Sequence, residues 1–453
     1  MHRRNFLFGG LATLHAILST RWLNAQEREA GQEPTSSLIE NIREAHALLA
    51  STSLGYSRRA RIAKTEPRKV LLAVMDTASH AIEIVPIRYF RKAVGARSKY
   101  TITTKHPGWT IAALSGTGMV CMYRVEKPEH KVVLANRFPF FTPSGVEEIV
   151  YTAPSPGVHT PEMVEEGLAY LNGVIDAAFT ELRALHVGWK FTEQGEYLIN
   201  ADFPKLGKNF LRALIKTIAA IEHIDHAEFY DTDPAFLVEK VLVILGANRT
   251  RAFNWSGSSA GAFGLAQFIR STYAAVCSAY PDARLVADFT KGMRDHVNAV
   301  KAMACLIDRE FHALLKEPVV RQYVERGTSR EEKETTTEHG FTTAYALRLW
   351  LLACAAYNGG PGRIPHIVSA RTEQWYKAKG EPDTSRTVSL RAQESFLRSK
   401  LRRKRLRSKE RRRTKVALQQ VQKKLMGLRR VTLPAETRVY LEKALAAHLY
   451  FAE

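Results

Sequence analysis

The spacing of apolar residues switches between helical and strand-like along this chain, and that switch constrains the fold more than any other feature. Over residues 69–152 it runs in short β-rich stretches at 70–74, 81–85, 100–104 and 131–134, separated by turns rich in Pro, Gly, His or Lys. Successive strand side chains point to opposite faces, so these stretches predict a small antiparallel unit. From Asn209 the spacing becomes three and four residues. Phe210, Leu211, Leu214, Ile215, Ile218 and Ile221 stripe one face of a helix expected to end near His226. Asp233-Pro234 offers a cap and a first position for a second helix carrying Phe236, Leu237, Val241, Leu242 and Leu245. Further helices are expected over about 296–315 and 342–357. The expected fold class is α+β and multidomain: a β-rich N-terminal domain over 67–155 and a mostly α-helical C-terminal domain over 206–450.

Two segments flank the β-rich stretch. Residues 37–66 read as a polar helix and linker, with Leu38, Ile42, Leu48 and Leu49 apolar and the helix reaching about Lys64. Residues 156–205 read as a helical connector, opened by the breaker Pro154-Ser155-Pro156-Gly157 and the cap-like Thr160-Pro161. Gly327 to His339 reads as a polar, mobile loop. Cys121, Cys277, Cys305 and Cys354 show no C-x-x-C spacing, so they are expected to be buried thiols; no metal site and no cofactor is predicted.

The formal charge is +21, yet residues 398–430 alone carry +15, leaving +6 for everything else. This cluster sits in a basic helical insertion over 395–430. Arginines without interleaved aromatics suit an anionic cell-wall polymer or a membrane surface, and no nucleic acid partner is expected. Residues 1–26 begin with Arg3-Arg4-Asn5-Phe6-Leu7, continue apolar to Leu18 and reach Leu23-Asn24-Ala25, which resembles a twin-arginine export signal. That predicts an exported protein, periplasmic or associated with the cell envelope.

Two glycine-containing segments carry the chemistry. In Ser259-Ala260-Gly261-Ala262-Phe263-Gly264-Leu265-Ala266-Gln267, the glycines let backbone approach a ligand, and the Gln267 amide can both donate and accept. In Ala356-Tyr357-Asn358-Gly359-Gly360-Pro361-Gly362-Arg363, a helix ends by presenting a phenol and an amide. Each alone is an ordinary turn or helix stop. With Leu433-Pro434-Ala435-Glu436-Thr437-Arg438-Val439-Tyr440, they form three ordered motifs. This set resembles the soluble lytic transglycosylase catalytic domain, a goose-lysozyme-like helical fold that cleaves peptidoglycan, over roughly residues 209–450.

The resemblance implies one glutamic acid that protonates the bond between N-acetylmuramic acid and N-acetylglucosamine, then acts as base while the muramyl 6-hydroxyl closes a 1,6-anhydro ring. It also implies that Gly261, Ala262, Gly264, Leu265 and Gln267 line the groove. Gln267 would touch an N-acetyl group, and Tyr357 would restrain the acid's carboxyl. Asn358 would fix backbone or sugar, Tyr440 would be the substrate-binding tyrosine of the Glu-Thr-Arg motif, and Glu436 and Arg438 would make structural pairs. Peptidoglycan glycan strands are the implied partner.

The acid does not stand where the resembled pattern has Glu-Ser, because that slot holds Asn248, Arg249 and Thr250. Glu222, at the last turn of an amphipathic helix, is the favoured acid, which requires the helix after Asp233 to be an inserted surface element. Glu239, inside that helix, is the runner-up. Glu222 and His226 are four apart but lack the H-E-x-x-H order of a zinc site. The alternatives to a lytic transglycosylase are a hydrolytic muramidase on the same fold and a catalytically silent peptidoglycan-binding scaffold.

Overall fold

The structure, a computed structural model, describes residues 37–57, 66–94, 97–142, 145–187, 209–258, 260–327, 343–365, 368, 414, 416–420 and 435–452. It is a mixed α+β architecture. Helix α1, Leu38–Ser51, opens on a capping box in which Ser37 and Glu40 satisfy each other's backbone N–H groups. It ends at Ser51 rather than near Lys64, and Thr52 is already extended. Strands β1 (Arg68–Asp76), β2 (Ile82–Val94), β3 (Arg97–Thr104), β6 (Lys131–Thr142) and β7 (Gly145–Tyr151) form an antiparallel sheet of order β3-β2-β1-β6-β7. Strands β4 (Thr110–Ser115) and β5 (Met122–Lys127) form a separate two-stranded ribbon.

The continuous apolar run of β1 has a simple cause, since both of its faces are covered. Leu71, Ala73 and Met75 pack with Ile42, Ala45 and Leu49 of α1. On the other face, Val70, Leu72 and Val74 pack with Ile111, Tyr123 and Val125 of the ribbon. A strand buried on both sides loses the apolar-polar alternation of a half-exposed one.

Helix α2, Pro161–Ala184, is capped by Thr160, whose hydroxyl accepts from the Met163 N–H. The helical part continues with α3 (Phe210–Ile221), α4 (Glu228–Asp231), α5 (Pro234–Asn248), α6 (Arg270–Ala279), α7 (Phe289–Arg294), α8 (His296–Lys316), α9 (Pro318–Glu325), α10 (Ala344–Gly359) and α11 (Ala435–Ala452). Asp233 caps α5 and Asp295 caps α8, each carboxylate accepting a backbone N–H, as their positions before a helix predict.

Helix α5 corrects the expectation of an inserted surface element. Its residues from Leu237 onward are largely buried, with only Glu239 and Lys240 partly exposed before Asn248. Val243 and Ala247 join the core beneath the sheet, whereas Leu242 and Leu245 join the helical core. Helix α2 lies against α5 so closely that a Cβ on Gly167 would stand 1.9 Å from the Leu242 carbonyl oxygen. Asn248 ties the sheet to this helix. It accepts from the Thr152 N–H at 2.8 Å and donates to the Thr152 and Ile244 carbonyls.

Three cysteines, Cys121, Cys305 and Cys354, are buried as expected, but Cys277 is only half-buried. The export signal over 1–26 lies outside the described residues, as do nearly all of the polar loop expected over 327–339 and most of the basic insertion. Within that insertion residues 416–420 are helical.

Candidate active site

Glu222 is the C-cap of α3, immediately after Ile221. The helix stripe that ends there packs α3 into the core, with Leu214, Ile215 and Ile218 fully buried. The acid is thereby fixed where the chain emerges from that core. Its residue is half-buried. Oε1 accepts the Tyr440 hydroxyl at 2.8 Å.

Burial pushes the Glu222 carboxyl up to about 7, because the charged form loses water. The Tyr440 hydrogen bond and the Lys443 ammonium oppose that rise, while the Glu436 carboxylate adds to it. The C-terminal end of α3 contributes in the same direction, since the negative pole of a helix disfavours an anion. Lys443, on α11, is buried and donates to the Ile224 carbonyl at 2.8 Å, anchoring the turn that follows the acid.

Tyr357, at the end of α10, occupies a different place from the one expected. Its hydroxyl donates to the Ala266 carbonyl at 2.8 Å. The phenol that reaches the carboxyl is Tyr440. Tyr357 remains near enough for the Glu222 charge to join burial in pushing its pKa up, which keeps the phenol protonated. Asn358 accepts the Thr437 hydroxyl at 2.8 Å, so the Tyr-Asn helix stop and the Glu-Thr-Arg stretch meet through their middle residues. Glu436 and Arg438 form no ion pair within 4.0 Å among the described residues.

The glycine turn that precedes α6 is joined to the same neighbourhood, since Tyr357 bonds its Ala266 carbonyl. Gly264 has φ +74, and a Cβ there would meet the Met293 carbonyl oxygen at 2.4 Å, so only glycine fits. Gln267 has φ +47, and its amide donates to the Gly264 carbonyl at 2.7 Å and to Ser256 Oγ at 3.3 Å. Those bonds use the amide's two donors inside the turn, leaving the oxygen as the part that can meet a ligand. Leu265 is fully buried, Ala262 half-buried and Gly261 exposed, with open space around it.

His223 was not among the residues that spacing singled out. Its Nε2 lies 3.0 Å from the Leu265 carbonyl oxygen, and its ring stacks on Phe253 at 3.6 Å and 10°. A carbonyl can only accept, so this imidazole carries its proton on Nε2. Burial holds its pKa down to about 3 and keeps it neutral.

The runner-up acid stands in other surroundings. Glu239 Oε2 lies 3.0 Å from His159 Nε2, and His159 stacks on Phe236. Glu222 thus shares its neighbourhood with Tyr440, Tyr357 and the Gly264–Gln267 turn, and Glu239 is engaged with α2's approach instead. The slot that the resembled pattern gives to its acid is structural here, since Asn248 is buried and bonded to Thr152. An open cavity between α2 and the start of α8, lined by Tyr170, Gly173, Arg249, Arg294 and His296, includes none of the sequence-derived site residues. No family model, no curated protein and no solved structure matches this chain.

Proposed function

We propose that the protein is a peptidoglycan lytic transglycosylase in which Glu222 is the single acid and base. One observation carries the reading: a half-buried carboxyl whose pKa burial raises to about 7, oriented by the Tyr440 hydroxyl at 2.8 Å and tied to a glycine turn through the hydrogen bonds of His223 and Tyr357. A carboxylic acid works best as a proton donor near neutral pH when its pKa lies near that pH.

The protonated Glu222 gives its proton to the glycosidic oxygen as the bond from that oxygen to C1 of N-acetylmuramic acid breaks. The 6-hydroxyl of the same sugar then bonds to C1 and returns its proton to the Glu222 carboxylate. The products are a 1,6-anhydro end and a free 4-hydroxyl on N-acetylglucosamine. No water is consumed and the acid is restored. In this reading residues 206–450 form a lysozyme-like groove behind an N-terminal β-rich domain. The protein works in the cell envelope, and the basic 395–430 segment meets anionic wall polymer.

The test is to incubate the full chain with purified sacculi and take the masses of the released fragments. Release of anhydro-ended muropeptides, lost in Glu222→Gln and kept in Glu239→Gln, is the expected result. Reducing ends would instead mark a muramidase. Absence of release by the parent protein would mark a silent glycan-binding groove.

A further inference from the structure

We propose that His223 is a positioning residue which, with Tyr357, latches the Gly264–Gln267 turn against Glu222 and thereby keeps the carboxyl dry and aimed. The inference rests on the reading of Glu222 as the acid. It concerns the next residue, which is histidine where the resembled pattern has serine.

The turn has three consecutive carbonyls, and each is occupied. The Gly264 oxygen accepts from the Gln267 side chain and backbone, the Leu265 oxygen from His223, and the Ala266 oxygen from Tyr357. Leu265 and Ala266 are fully buried, so a lost donor would strand a carbonyl without water. Both external donors come from residues beside the acid: His223 is covalently next to it, and Tyr357 senses its charge. The turn also includes a non-glycine residue at positive φ, Gln267, a conformation that persists only when its surroundings impose it.

The imidazole is itself held. It lies flat on Phe253, and His296 approaches it from α8 while donating from its own Nε2 to the Ala252 carbonyl. The charged and titratable groups facing Glu222 are Tyr440, Lys443 and Glu436 from α11 and Tyr357 from α10. Of the residues around the acid, His223 is the one whose single hydrogen bond joins the acid's own backbone turn to the glycine turn. In this proposal, loss of either donor releases residues 264–267 and admits water toward the carboxyl.

Two variants of the full chain separate the donor from the ring. His223→Phe keeps a ring on Phe253 and removes the donor, whereas His223→Gln keeps a donor and removes the ring. Glu222 is followed by NMR titration of its carboxyl carbon, and muropeptide release gives kcat and KM. The expected result for His223→Phe is a Glu222 titration lowered by more than about one pH unit. A kcat lower by roughly 10- to 100-fold, with KM within about two-fold, accompanies it, as for a misplaced catalytic group. His223→Gln restores both. Should His223→Phe fail to fold, Tyr357→Phe removes the other external donor and gives the same downward shift.

Wild-type titration of Glu222 in the folded donor-deleted variant overturns the latch. If the parent protein releases no muropeptides but the titration shifts as stated, the transglycosylase reading falls and the latch stands. If the parent is active, Glu222→Gln is silent and the donor-deleted variant titrates as the parent does, the latch falls and the reading stands.

Discussion

The Tyr440 hydroxyl donates to Oε1 of Glu222 across 2.8 Å, joining residues 218 positions apart in the chain. The pair brings α11 onto the end of α3, where the fully buried small residues Ala444 and Ala447 of α11 lie in the helical core. Lys443, one helical turn from Tyr440, reinforces the same junction through the Ile224 carbonyl. The last helix of the chain therefore orients a carboxyl presented at its middle.

This junction fixes the pH dependence of the proposed reaction. The Glu222 carboxyl has a folded pKa of about 7, so the proton-donating form is present below that value and lost above it. Muropeptide release is expected to fall as pH rises through about 7. Tyr440→Phe removes a donor that favours the anion, so it moves this limb to higher pH. Loss of orientation also lowers the rate, by roughly 10-fold. A pH profile of release by the two proteins checks both the direction and the size.

Ionised Glu222 is a load on the folded state. The folded pKa is raised from 4.5 to about 7, so the native protein keeps a proton that the unfolded chain has released. Stability consequently falls as pH rises from 4.5 through about 7 and stays lowered above that. Glu222→Gln removes this penalty, which amounts to at most about 3 kcal/mol at one pKa unit per 1.36 kcal/mol. Thermal unfolding should show the variant more stable than the parent at pH 8 and nearly equal to it at pH 4.

Gly264→Ala tests the glycine turn. The added methyl would stand 2.4 Å from the Met293 carbonyl oxygen at a backbone φ of +74. Both effects oppose the native turn, and a loss of roughly 2–4 kcal/mol is expected. Denaturant unfolding measures it. Gly261→Ala carries only the strain of φ +84, because nothing lies within 4 Å of the new methyl, and should cost less.

Asn248→Ala tests whether the position that the resembled pattern reserves for its acid is structural. The change removes three hydrogen bonds, two of them to the backbone of Thr152, and leaves that fully buried backbone unpaired. A loss of roughly 2–4 kcal/mol follows, and release by the folded fraction should keep the parent's pH profile. A changed profile at unchanged stability would place Asn248 in the chemistry.

Much of this architecture is legible in the chain. The caps at Asp233 and Asp295 and the stripe from Phe210 to Ile221 are local signals, and local physics decides them. Strands β4, β5 and β7 escaped because their runs are short, β5 alternates Arg124 and Glu126 with its apolar residues, and β7 is interrupted by the adjacent Glu147 and Glu148. The character of α5 is present in its composition: apart from Glu239 and Lys240, the stretch from Leu237 to Leu245 is apolar around the helix, and such a helix belongs inside a core. Tertiary contacts explain the rest. Nothing local tells whether Tyr357 or Tyr440 reaches Glu222, because the choice depends on how α10 and α11 cross α3. His223 gave no sign beyond its place after the acid, since a buried neutral histidine and a solvated one look alike in sequence.

Helix α5 turns Val243 and Ala247 toward the sheet and Leu242 and Leu245 toward the helices. A shortened protein beginning after residue 155 would uncover that first flank and deprive Asn248 of Thr152. Such a fragment would expose a greasy strip and stick to itself. Whatever the N-terminal strands recognise, they also act as the permanent cover of the segment that leads into the glycine turns.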